Sequence, residues 1–269
     1  MRGQVEDFER ELSIAQISVR KKILDIAFTD KLNGSHLGGA LSSVEIVTTV
    51  YLKFMHEGSR FILSKGHAAL VLYATLNYVG RVSDLDLSSY HKLKSKLLGH
   101  PVKDRSKGIE FSTGSLGMGL SLACGLALLK KLNHESGRIF CLVGDGELNE
   151  GSNWESIQFA AHHQLGNLIC LVDSNSFQQT GNTKLISSSG ELINKFKAFN
   201  WNCFEINGHC SSDITDAILK VIDLKNSLPS VLICKTIKGK GIPQIENDNR
   251  WHHSLMSDAQ FEMFRESIY

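Results

Sequence analysis

Apolar and polar positions follow two different periods along this chain, and the change between them organises it. From residue 5 to residue 30, Leu12, Ile17, Ile23, Leu24 and Ile26 recur among charges at helical spacing, which predicts a long amphipathic helix. A glycine-bearing turn, NGSHLGGA, follows. Residues 42–55 read as helix with Ser42 or Ser43 at its N-cap, and residues 66–80 as a further helix. Gly114, Gly117 and Gly119 form a glycine-rich loop that leads into an apolar helix over 120–132. The second half then alternates. Arg138–Val143, Asn167–Val172 and Pro229–Lys235 are short runs of strand-forming residues. Between the first two, SNWESIQFAAHHQL sets Trp154, Ile157, Ala161 and Leu165 at helical spacing. Strand, helix, strand over that length is a βαβ unit, and the apolar strands predict a parallel sheet covered by helices on both faces. The expected fold class is therefore α/β, in one domain over 1–269.

Composition removes several functions. The 29 basic and 28 acidic residues give a net charge of +1, too balanced for an electrostatically driven nucleic-acid binder. An apolar content of 42% argues against a disordered chain. No stretch approaches the ~20 apolar residues of a membrane span. The N-terminus has no apolar core of a signal peptide. Six cysteines form no CxxC pair, and Cys141, Cys170 and Cys234 lie inside apolar runs. They read as core residues of a protein in a reducing, cytoplasmic compartment.

The candidate chemistry lies in VGDGELNEGSNWESIQFAAHHQLGNLICLVDSNSF. Asp145 directly follows one strand and Asn175 the next, so both stand at the carboxyl ends of parallel strands, where open α/β sheets bind ligands. A carboxylate and an amide oxygen are hard donors suited to Mg²⁺, which completes its octahedron with phosphate oxygens and water. The adjoining glycines let backbone approach a phosphate closely. Either feature alone is a common turn; each at a strand end, one crossover helix apart, points to a metal-bridged diphosphate.

This pairing is the GDG-to-Asn signature of thiamine-diphosphate enzymes, and the chain resembles the N-terminal, diphosphate-binding part of transketolase. GSHLGGALSSVE, RFILSKGHAALVLYATL, LLGHPVKDRSKGIEFSTGSLGMGLSLACGLAL and TIKGKGIPQIENDNRWHH resemble further blocks of that family in the same order, from about residue 10 to residue 260. The resemblance implies thiamine diphosphate and Mg²⁺ as cofactors, with Ca²⁺ or Mn²⁺ able to replace the metal. Asp145 and Asn175 would bind the metal by side chain and Phe177 by its carbonyl. Gly146, Gly114 and Leu116 would contact the cofactor. His36, His67, His100 and His252 match the family's active-site histidines, and Glu150 matches an acidic residue between cofactor sites. His36 and His252 would handle the protons of ketol transfer, since an imidazole ordinarily titrates near neutrality. His67 and His100 would contact cofactor and substrate oxygens.

Other residues receive plainer readings. His91, His134, His162 and His163 match no motif and are expected at the surface or at helix ends. His209 reads as a turn residue, because its neighbour is Cys210 where the family carries an acid. His253 competes with His252 for the assigned place. Lys238 and Lys240 are either solvated loop lysines or groups near the cofactor mouth. Ser35 and Leu37 replace the family's Gly and Pro, Ser115 its Pro and Met118 its Gln, so the donor sugar does not carry over.

In the family, the glutamate that activates the thiamine ring belongs to a pyrimidine-binding domain that follows this one. This chain ends at Tyr269. The resemblance therefore implies the N-terminal subunit of a split transketolase, paired with a separately encoded C-terminal subunit in a two-plus-two heterotetramer. It would transfer a two-carbon ketol unit from a ketose to an aldose, as sugars or sugar phosphates. One alternative is a related split enzyme acting on a modified or nucleotide-linked sugar. Another is a non-catalytic subunit that has kept the fold.

Overall fold

The computed structural model describes residues 2–187, 190–224 and 226–269. Its strands are β1 (Arg60–Leu63), β2 (Ile139–Gly144), β3 (Leu168–Ser174), β4 (Phe177–Gln178), β5 (Gly181–Asn182), β6 (Asn202–Asn207) and β7 (Ser230–Lys235). Five of them form one sheet in the order β1-β2-β3-β7-β6, with every neighbour parallel; β4 and β5 make a small hairpin. The helices are α1 (Arg2–Thr29), α2 (Leu37–Leu41), α3 (Val44–Thr49), α4 (Ala69–Tyr78), α5 (Asp84–Ser88), α6 (Gly119–Leu132), α7 (Gly151–His162), α8 (Thr183–Ile186), α9 (Leu192–Ala198), α10 (Ser211–Asp223) and α11 (Asp258–Ser267).

Successive strand residues point to opposite faces, so each strand divides its side chains between two cores. Phe140, Leu142, Ile169, Leu171, Leu232 and Cys234 face a core built with α1 to α4 and α10. Cys141, Val143, Cys170, Val172, Val231 and Ile233 face the other, built with α6, α7 and α9. Cys141, Cys170 and Cys234 are fully buried free thiols, as their apolar surroundings predict. No helix among the described residues is long and apolar enough to cross a membrane.

The predicted parallel sheet is present, and two strands extend it. RFIL forms the edge strand β1, and NCFEIN forms the opposite edge strand β6, whose half-exposed side chains give little apolar signal. The helix expected over 42–55 is interrupted. α2 ends at Leu41, α3 starts at Val44 and a π-helical turn closes the segment at 50–54. Ser43 occupies the N-cap position but makes no capping bond. Both serine hydroxyls turn inward, where Ser42 Oγ lies 2.6 Å and Ser43 Oγ 3.3 Å from Asp173 Oδ2.

Candidate active site

The carboxyl ends of β1, β2, β3 and β7 share one edge of the sheet. After β2, Asp145 accepts hydrogen bonds from the backbone N–H groups of Gly146 (2.8 Å) and Ser176 (2.7 Å). Ser176 reaches it from a left-handed conformation, φ 66°. After β3, Asn175 Oδ1 accepts from Phe177 N–H at 3.0 Å, and its amide nitrogen donates to Asp173 at 2.8 Å. Asp145 and the 175–177 turn are thus held together at the crevice. Gly146 allows this closeness, because a Cβ there would lie 2.8 Å from Gln178 Cβ.

Beneath this turn lies a charge network that the sequence pattern did not reveal. Lys65 is 1% exposed and Asp173 0% exposed. Lys65 Nζ donates to Asp173, to Gly39 O (2.9 Å) and to Ser43 Oγ (3.1 Å). Thr236 Oγ1 donates to the other carboxylate oxygen. Burial pushes the Asp173 pKa up, but the Lys65 charge and these donors outweigh it and hold the group below its ordinary range. Asp145 has no such partner. Burial and the neighbouring Asp173 charge raise its pKa to about 7. Glu147 is also buried, accepting from Ser64 Oγ (2.5 Å), Gly117 N (3.0 Å) and Gly144 N (3.0 Å). It ties the 114–119 loop to the GDG turn. A charged residue at the carboxyl end of an apolar run was the available signal, Asp173 inside the end of β3 and Lys65 two residues past β1.

The predicted histidines converge from distant segments. His36 stands before α2, His67 after β1, His100 in the loop before Pro101, and His252 in the 249–252 turn. The His36 ring centroid lies 5.6 Å from His67, 5.6 Å from His100, 5.4 Å from His252 and 4.5 Å from His253. Both tail histidines therefore join the cluster, His252 on the side of His67 and His253 beside His36. Two glycines make the convergence possible. A Cβ on Gly39 would come within 3.3 Å of His67 Nε2, and one on Gly66 within 2.7 Å of the backbone at Thr113 and Gly114.

Burial and mutual repulsion lower every resolved imidazole in the cluster. His36 falls to about 3 through burial, then the charges of His253, His252, His100 and Lys238. His252 falls to about 4 through burial, then Lys238 and Lys65. His67 lies well below its ordinary value and His100 is also lowered, both chiefly by burial. His36, His67, His100 and His252 are thus neutral rings, each able to donate one hydrogen bond and accept one.

Of the two readings left open for Lys238, the structure favours the group beside the site over the solvated loop lysine. Lys238 is 1% exposed, its Nζ is 2.5 Å from Asn249 Oδ1 and 3.0 Å from His252 Nδ1, and burial lowers its pKa to about 8. Lys240 instead donates to the Tyr269 hydroxyl. His209 bridges Glu45 and the Ile237 N–H away from the cluster, in keeping with a turn role. His134 is exposed and His162 and His163 close α7, as expected. His91 departs from the surface reading, since it bonds to buried Asp30 beside the cluster. Gly114 and Leu116 lie on the loop over Gly66, as the sequence pattern suggests. Glu150 is exposed next to Gly117 and stands outside the histidine cluster.

A cation-bridged diphosphate needs hard oxygens for the cation and hydrogen-bond donors for its phosphates. Asp145 and Asn175 supply hard oxygens, and the Asp145 carboxylate is one whose charge the fold leaves unneutralised. Lys238 and the imidazoles supply positive or donor groups around the same crevice, whereas Lys65 spends its donors on Asp173, Gly39 O and Ser43 Oγ. The residues fit such a group.

Comparison with known proteins agrees. Residues 14–268 match the family described as transketolase, thiamine diphosphate binding domain. An apulose-4-phosphate transketolase subunit of Actinobacillus succinogenes is 36% identical over 267 residues, covering 96% of each chain. Transketolase-like protein 2 of Mus musculus is 37% identical over 253 residues, covering 90% of this chain and 40% of that one. The crystal structure of transketolase from Campylobacter jejuni superposes with a TM-score of 0.85 at 28% identity, covering 94% of this chain and 42% of that one. The chain thus spans about two fifths of the mouse relative's length. It belongs to the transketolase family, within which it corresponds to the thiamine diphosphate binding domain.

Proposed function

We propose that this chain is the diphosphate-binding subunit of a thiamine-diphosphate- and Mg²⁺-dependent transketolase, moving a two-carbon ketol unit between a ketose and an aldose. The observation that carries the reading is that Lys238 joins the two halves of the site, feeling the Asp145 charge on one side and lying 3.0 Å from His252 of the five-ring histidine cluster on the other. Asp145, Asn175 and the Phe177 carbonyl would hold the metal. Gly146, Gly114, Leu116 and His67 would line the diphosphate and the ring system. The bound cofactor supplies the carbanion chemistry. His36, His252, His100 and His67 would orient the sugar hydroxyls; His36 and His252, held at about 3 and about 4 by burial and neighbouring positive charge, would carry protons to and from the reacting oxygens once a bound diphosphate raises those values.

The partner is a transketolase C-terminal-type subunit on a separate polypeptide, in a cytoplasmic two-plus-two heterotetramer. The Actinobacillus relative, matched along nearly its whole length, is named as one subunit of a transketolase, which supports this arrangement. Glu150, exposed at the start of α7, is then free to meet a second protein surface. The same relative's name, with its apulose 4-phosphate, favours a modified sugar phosphate as substrate. The direct test is calorimetry of thiamine diphosphate with MgCl₂ on the co-purified pair. Binding is expected to require the metal and to disappear in Asp145→Ala. Unaltered binding in that variant would falsify the metal assignment. The isolated chain is expected to show no ketol transfer, and robust turnover by it would remove the partner from the proposal.

A further inference from the structure

A groove of about 390 Å³ opens from one flank of the histidine cluster. Its inner wall is His36, His100 and His253, and its outer wall includes Tyr90, His91 and Val102. Neither Asp145 nor His67 borders it, and no lysine or arginine among the described residues lines it. The groove therefore suits an uncharged, hydroxylated length of sugar rather than a phosphate.

His91 is fixed in this wall by four independent constraints. Its backbone is left-handed, φ 56°, with its N–H bonded to Leu97 O at 3.1 Å. Its ring stacks on Tyr90 with centroids 4.2 Å apart and planes 11° from parallel. Its Nδ1 is bonded to Asp30 Oδ2. Gly99 gives it room, because a Cβ there would stand 2.6 Å from His91 Nε2. Asp30 is itself 8% exposed, and its other oxygen accepts from Leu32 N (3.1 Å), Asn33 N (2.9 Å) and Asn33 Nδ2 (3.1 Å). Burial works to raise the Asp30 pKa, yet the Asn33, His91 and Leu32 donors outweigh it and keep the carboxyl ionised at neutral pH.

A carboxylate at Nδ1 keeps the proton of a neutral ring on that nitrogen, which leaves Nε2 as an acceptor. His91 Nε2 has no hydrogen-bond partner among the described residues. A pre-oriented ring with a free acceptor on a groove free of cations is a hydroxyl reader.

We infer that His91, positioned by Asp30, is a specificity-determining residue that accepts a hydrogen bond from a hydroxyl of the aldose acceptor beyond its reacting carbon. The assignment rests on the ketol-transfer reading for the identity of the sugar.

Two measurements test it. In the assembled enzyme, His91→Phe keeps the ring and its stack on Tyr90 but removes both nitrogens. One hydroxyl bond is worth about 1–1.5 kcal/mol, so the preference for D-ribose over two-carbon glycolaldehyde, as kcat/KM, should fall about 5- to 13-fold. The loss should appear in KM, and the discrimination between D-ribose and its deoxy analogues should collapse. Asp30→Asn should move in the same direction by less. An equal loss for both acceptors would mean a merely structural role and would overturn the assignment. Second, with ¹⁵N-labelled histidine in the cofactor-loaded chain, D-ribose should shift the Nε2 resonance of His91. Shifts confined to His36, His100 and His253 would also overturn it. If the wild-type assembly transfers no ketol unit, the proposed function falls, while the ¹⁵N measurement still decides whether His91 meets a sugar hydroxyl.

Discussion

Lys65→Met is the most informative single change away from the reacting groups. Methionine matches the length of the lysine stem but removes the ammonium, leaving Asp173 as a carboxylate with no exposure and no cation. Gly39 O and Ser43 Oγ lose a donor as well. Breaking a buried ion pair from one side costs about 3–5 kcal/mol, which for a chain of this size corresponds to a melting-temperature drop of roughly 6–20 °C. The pH dependence follows from the directions of the shifts. In the wild type, the Asp173 pKa is lowered, so its contribution is present above the ordinary carboxylate value and is lost as pH falls through the lowered one. Without Lys65 the largest opposing charge is gone and desolvation stands against the Ser42 and Thr236 donors, so the folded-state pKa rises and protonation relieves the burden. The deficit should therefore be full at pH 8 and shrink toward pH 5. Urea unfolding at the two pH values, on Lys65→Met, Asp173→Asn and the double variant, measures all of this. The double variant should cost less than the sum of the singles, with a coupling on the order of 1–3 kcal/mol. A Lys65→Met cost under about 1 kcal/mol, or strictly additive singles, would refute the reasoning.

Three further outcomes follow from the same crevice. Asp145 has a pKa raised to about 7, so a cation must displace a proton below that pH. Mg²⁺ affinity should climb close to tenfold per pH unit up to about 7 and then level off. Without metal, stability should decline as pH rises from about 4 to 7, because the folded state holds a proton that the unfolded state has released. A metal affinity that stays flat from pH 5.5 to 8 would contradict this. His36 and His252, lowered to about 3 and about 4, should show constant ring proton shifts from pH 8 to pH 5 in the cofactor-free chain. A titration of either ring near pH 6.5 would refute a buried, neutral cluster.

The parts of this molecule that could be read in advance are those where one residue type has one physical use. The apolar runs IFCLV, LICLV and VLICK became β2, β3 and β7 because a strand buried on both faces needs apolar side chains at every position. Asp145 and Asn175 were legible because polar groups directly after such strands occupy the ligand-binding edge. Edge strand β6 was not legible, since half its surface faces solvent and its pattern is mixed. Ser42 and Ser43 look like helix caps from their spacing, but Asp173 competes for their hydroxyls across 130 residues of sequence, a contact no local pattern carries. Lys238, beside Gly239, reads equally as a solvated loop lysine or a group near the cofactor mouth; only the fold, with Asn249 and His252 closing over it, separates the two.

The directions of the shifts also explain why these residues occur together. Burial disfavours the charged form of Asp145, Lys238, His36, His67 and His252 alike, pushing the acid up and the bases down. Asp173, enclosed more completely than any of them, moves the other way because Lys65 is salt-bridged to it. A divalent cation at Asp145 reverses the shift of the acid. A diphosphate near Lys238 and the rings reverses the shifts of the bases. One metal-bridged ligand would thus restore charge on both sides of the crevice, which neither ion alone would do. The Lys65–Asp173 pair serves a different end. By satisfying itself internally, it holds Asn175 and the Ser42–Ser43 break in place without competing for the ligand.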